Sequence, residues 1–249
     1  MDENAENAFV LRAFDLDIEA ASTIAVVTGL AALVVVVVGR PWRFARNVVT
    51  IVHEAGHALV ALLAGRRLQG ITLHSDTSGV TVSKGKPTGP GMVLTALAGY
   101  PAPAVLGLVF AGLVSAERLS VVLGIAAVLL LSVLVMVRNA YGVFSVVLSA
   151  LVLGAVALFA GPGVQAAFVY LMTWFLLFGA VRPLFELQVK RRRGTARDSD
   201  IDQLSRLTGL PAMLWLLVLG ALALTCVVVG GMLLTEPVVT PSGFTSTTS

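Results

Sequence analysis

Blocks of about 20 apolar residues, repeated along almost the whole chain, constrain this sequence most. Seven can be traced, at about 20–39, 46–65, 92–115, 118–137, 140–160, 164–181 and 212–234. As helix, a block of that length crosses about 30 Å of hydrocarbon. Composition agrees, since 57% of the 249 residues are hydrophobic and 12% are charged, and an ordinary soluble domain carries about twice that share of charge. The valine and leucine runs do not alternate with polar residues, as the segments of about 10 residues in a membrane barrel would. The expected fold is an all-α integral membrane protein, a polytopic bundle of six or seven transmembrane helices.

The formal charge of +3 does not point to nucleic acid, because the basic residues flank apolar blocks, where they orient helices. Three regions follow from composition: an acidic segment at 1–19, a membrane-embedded domain at 20–234, and a Ser/Thr/Pro tail at 235–249 expected to be disordered. The acidic start lacks the basic opening of a signal peptide, so no cleaved leader is expected. Cys226 is the one cysteine and lies in the last apolar block, where packing is its expected role. Positive charge inside places the basic loops "RPWRFAR" at 40–46 and 182–197, which ends in "KRRRGTAR", on the cytoplasmic side. Five apolar blocks separate those two stretches. An odd number of crossings would put them on opposite sides, so one block is expected not to cross fully.

Between the second and third blocks the pattern breaks. "GITLHS" and "GVTVSKG" are β-branched runs joined by "DTSG", which predicts a hairpin over 67–88. The third block contains "AGYPAP" (98–103), where proline removes a helix donor and a kink is expected.

The chemistry concentrates in "HEAGH", residues 53–57, inside the second block. Charged side chains in lipid cost roughly 2.5 kcal/mol or more each, so they require partners. His53 and His57 are four residues apart and share one helical face. Both can reach one Zn²⁺, with Glu54 beside the metal's open position as general base. The small Ala55 and Gly56 allow another segment to approach closely. A catalytic zinc usually takes a third protein ligand, for which the residues offer His74, Asp76, Asp198, Asp200 and Asp202. Ser199 or Asp200 could also begin a helix running through Leu207, with acidic residues favoured in its first turn.

The membrane-embedded "HEAGH", the hairpin with "SGVT", and the following "AGY" resemble the site-2 protease family of intramembrane zinc metalloproteases. "SDIDQLSRLTGLP" resembles the aspartate-bearing segment of a compact bacterial branch. The resemblance covers roughly residues 46 to 210. It implies zinc held by His53, His57 and Asp200, with Asp202 as rival third ligand, and Glu54 as catalytic acid/base. Better-known branches carry the aspartate in an "NxxPxxxxDG" element, which has no counterpart here; "VRNAYG" at 137–142 has an asparagine but no DG.

Substrate contacts are expected from Asn139, through the substrate backbone, and from Gly79, Val80, Thr81 and Val82, through an added edge strand. The implied partners are a membrane-protein substrate and the lipid bilayer, in a bacterial cytoplasmic membrane; oligomeric state is not indicated. Two other readings stand beside the protease: an inactive scaffold or chaperone keeping the fold, and a transporter with midplane ionisable residues. The intact Glu54 disfavours the first, and the absence of an internal repeat disfavours the second.

Overall fold

A computed structural model describes residues 18–195 and 198–235. The expectations for most of the acidic segment and nearly all of the tail, and the end of "KRRRGTAR", lie outside these residues. The chain runs α1 (Ile18–Val37), α2 (Gly39–Leu63), β1 (Arg67–Leu73), β2 (Gly79–Lys84), α3 (Pro90–Leu97) and α4 (Pro101–Ser115). It continues with α5 (Leu119–Met136), α6 (Ala140–Phe159), α7 (Pro162–Arg192), α8 (Asp200–Thr208) and α9 (Ala212–Thr235).

Among the described residues, α5, α6, α7 and α9 are each long and apolar enough to cross a membrane. Two bent pairs raise the total to at most six if each pair is one span. The expected count of six or seven meets this range at six, reached when each bent pair is one span. α1 and α2 meet at 100° across the extended residue Val38, so both cannot run along a bilayer normal. The first two apolar blocks are one bent unit. α3 and α4 meet at 65° where "AGYPAP" predicts a kink, with Pro101 and Pro103 opening α4.

The two basic stretches are helix ends, which corrects their reading as loops. "RPWRFAR" forms the first turns of α2, and α7 continues eleven residues past its apolar block to Arg192. The helix outlasts its hydropathy because its polar residues find partners on α2. Glu186 accepts from Arg182 at 2.9 Å, from Arg46 at 3.1 Å and from the Trp42 indole N–H at 2.9 Å. Those contacts put the start of α2 beside the end of α7, so both basic stretches lie at one end of the bundle.

At the centre, α7 packs against α1, α4 and α9, while α5 and α6 pair alongside. Small residues allow the close approach. A Cβ on Gly230 of α9 would sit 2.7 Å from Leu177 of α7, and one on Gly107 of α4 would sit 3.0 Å from it. The Trp174 indole of α7 donates to the Ala25 carbonyl of α1 at 3.0 Å. An apolar cavity of about 440 Å³ lies between α6 and the α4–α7 pair and reaches Ile51 and Val52 of α2.

The hairpin forms as predicted, with β1 and β2 antiparallel and a bulge between Leu68 and Gly70. It is fastened to α2 by the Thr50 hydroxyl, which donates to the Thr77 carbonyl at 2.9 Å. The outer edge of β1 is closed. The Arg138 N–H donates to the Ile71 carbonyl at 2.9 Å. The Asn139 amide donates to the Leu73 carbonyl at 2.6 Å and accepts the Leu73 N–H at 3.2 Å. The outer edge of β2 has no further strand among the described residues.

Candidate metal centre

Helical spacing on α2 puts the His53 and His57 rings edge to face, 4.7 Å between centroids, with their Nε2 atoms 3.1 Å apart. Asp200, the first residue of α8, brings Oδ2 to 3.0 Å from His53 Nε2 and 3.2 Å from His57 Nε2. These are the three residues among those described whose ligand atoms cluster closely enough to hold a metal ion. Ligands about 2.0–2.2 Å from a tetrahedral ion lie roughly 3.3 Å apart, so the three atoms are spaced for a zinc between them.

Tautomer and orientation are set by the backbone. His57 Nδ1 lies 2.6 Å from the Thr95 carbonyl. A carbonyl only accepts, so Nδ1 carries the proton and Nε2 presents its lone pair to the metal position. The Tyr100 ring stands edge to face against His53 at 4.9 Å. The break between α3 and α4 lets the chain come this close. A Cβ on Gly99 would lie 2.3 Å from His57 Nε2 and 2.6 Å from His53 Nε2. Gly56 serves the same approach from the other side, because a Cβ there would meet Ala102 Cβ at 2.5 Å and the Ala98 carbonyl oxygen at 2.8 Å.

Asp200 is delivered by a short helix with strong local instructions. Ser199 is its N-cap; its hydroxyl accepts the Asp202 N–H at 3.3 Å, while the Asp202 carboxylate accepts the Ser199 N–H at 3.1 Å. Gly209 closes the other end in the left-handed conformation, φ 73°. Ile201 and Leu204 are fully buried. Arg191 at the end of α7 pairs with Asp202. Positions i and i+2 on a helix point about 200° apart, so with Asp200 on the histidines Asp202 faces away. Asp202 is a capping residue here and stays outside the cluster.

Glu54 is 3% exposed, and its Oε2 accepts the Thr81 hydroxyl of β2 at 2.6 Å. His74 and Asp76 remain in the hairpin turn, where Asp76 accepts the Ser78 N–H at 3.0 Å. Asp198 pairs with Arg206 at 2.7 Å. The Asn139 side chain donates one N–H to the Leu73 carbonyl and accepts the Leu73 N–H, contacts that close β1.

The family profile described as Peptidase M50B-like matches residues 26–230. The chain belongs to this peptidase family, the site-2 proteases. No curated protein and no solved structure matches it. Integral membrane character follows from the family together with the apolar helices. In this M50B-like chain, sequence reasoning missed Thr95, whose contribution is a carbonyl and leaves no side-chain signal. It also missed Gly99 as a metal-side contact, although "AGY" marks the break.

Proposed function

We propose that this M50B-like protein is an intramembrane zinc metalloprotease that hydrolyses peptide bonds of membrane-spanning substrates. The observation that carries the reading is the convergence of His53 Nε2, His57 Nε2 and Asp200 Oδ2 on one position beside Glu54. Zinc bound there would polarise the scissile carbonyl and lower the pKa of a water towards about 7. The two histidines and Asp200 hold the site. Glu54 accepts a proton from the attacking water as its oxygen bonds to the carbonyl carbon. It returns that proton to the amine nitrogen as the C–N bond breaks. The substrate segment lies extended along the open edge of β2, at Gly79 to Val82, which exposes its carbonyls as a helix would not. The apolar cavity beside α2 suits the part of the substrate still in lipid. Positive charge at the α2 start and α7 end supports a cytoplasmic side for that face of the bundle, in a bacterial cytoplasmic membrane.

Elemental analysis of purified protein tests the site. About one zinc per chain is expected in wild type, lost or much weakened in Asp200→Ala. Glu54→Gln is expected to keep zinc and abolish cleavage. Cleavage surviving in Glu54→Gln would overturn the mechanism, and wild type that takes up no supplied zinc would overturn the metal reading.

A further inference from the structure

We propose that Thr81 is the positioning residue for Glu54, so that the strand offered to substrate also fixes the base that attacks it. The inference rests on the protease reading for its consequence, but the contact itself is independent of that reading. Glu54 is a buried carboxylate with no ion pair among the described residues. A buried ionised carboxylate requires donors. Thr81 supplies the side-chain donor, 2.6 Å from Oε2. The same hydroxyl lies 3.1 Å from the Glu54 carbonyl oxygen. A hydroxyl has one proton to donate, and the shorter, charge-assisted contact to the carboxylate is the stronger claim on it.

The placement is fixed on three sides. Gly79, two residues earlier on the same face of β2, forms a floor under the carboxylate. A Cβ there would lie 2.6 Å from both Cγ and Oε1 of Glu54. One helical turn before Glu54, Thr50 ties α2 to the hairpin turn at Thr77. With Oε2 held by Thr81, Oε1 is the oxygen left to exchange a proton.

Position is the issue because a general base must meet its proton within hydrogen-bond reach. The neighbouring Val80 and Val82 face outward, 50% and 45% exposed, while Thr81 faces Glu54. A substrate pairing along β2 therefore presses on the strand whose inner face holds the base. Substrate engagement and base alignment share one element.

The test compares Thr81→Val, which keeps the shape and removes the hydroxyl, with Thr81→Ser, which keeps the hydroxyl. Loss of a hydrogen bond to a charged group predicts a fall in kcat of about tenfold to a hundredfold in Thr81→Val. KM and zinc content stay within twofold of wild type, and Thr81→Ser restores kcat. Infrared difference spectra against Glu54→Gln, taken on metal-free protein, give a readout without activity. The Glu54 carboxylate stretch is expected to move in Thr81→Val and to return in Thr81→Ser. An unmoved stretch overturns the proposal. So does a kcat in Thr81→Val within twofold of wild type, or equal loss in Val and Ser variants, which would make the residue a packing element. A wild type that cleaves nothing would strike the protease reading, and the infrared shift would still decide the contact.

Discussion

At the scale of single residues, the site depends on side chains that are absent. Gly99 has no special dihedral to adopt; its role is the space it leaves, with both imidazoles against its Cα. Alanine there would place a methyl group within 2.3 Å of His57 Nε2, closer than any real contact. Gly99→Ala is expected to lose zinc. Gly112, in α4 with nothing near its missing Cβ, provides the contrast. Gly112→Ala is expected to retain zinc and to stabilise the helix by about 0.5–1 kcal/mol. Zinc content and thermal unfolding of the two variants check this, and equal zinc in both would remove Gly99 from the account. "HEAGH" was legible because helical spacing alone places two imidazoles on one face. Gly99 was not legible, since a glycine two residues before a proline reads equally well as a simple break.

Among elements, α8 shows how a candidate ligand is held by groups that lie outside the cluster. Its N-cap Ser199, its buried Ile201 and Leu204 and its packing against α3 and α9 fix the helix, the Arg191–Asp202 pair ties it to α7, and together they aim Asp200. Burial tends to raise the Asp202 carboxyl, but hydrogen bonds from Ser199 and Arg191 prevail and lower it. A carboxyl lowered in the folded state stabilises above its unfolded pKa and loses that contribution as pH falls through the folded value. Asp202→Asn is therefore expected to weaken α8 by about 1 kcal/mol at neutral pH, with the difference from wild type closing in acid. In a zinc titration at neutral pH, Asp202→Asn should need more zinc yet reach full occupancy, unlike Asp200→Ala. Superimposable titrations of Asp202→Asn and wild type would refute the clamp. The sequence showed the cap through "SDIDQ" and the stop through "TGLP". It could not choose between two aspartates two residues apart, because the choice depends on which face of α8 meets α2.

For the whole molecule, the parity of the basic stretches is informative in the sequence itself. Five blocks between them pointed to one that does not cross, and the 100° turn between α1 and α2 is compatible with α2 being that block. Which block would turn was not legible, since hydropathy measures length and polarity but not direction. The extension of α7 was missed for a related reason: a hydropathy boundary is not a helix boundary when Arg182 and Glu186 find partners on α2. Arg43 and Arg192 are both exposed at that shared end. Single cysteines replacing them are expected to react with a membrane-impermeant thiol reagent from the same side of sealed vesicles. Labelling from opposite sides would contradict the arrangement.

The cluster also has a timetable. Its two imidazoles belong to the first quarter of the chain, and the carboxylate that completes it stands at position 200 of 249. During synthesis, a growing polypeptide can insert α2, fold the hairpin and close α3 over the histidines while the triad still lacks a member. Any fragment ending before α8, whether from stalled translation or a truncated message, carries an unfinished site. On the proposed function, the protease would thus be unarmed while its own helices were still being threaded into the bilayer.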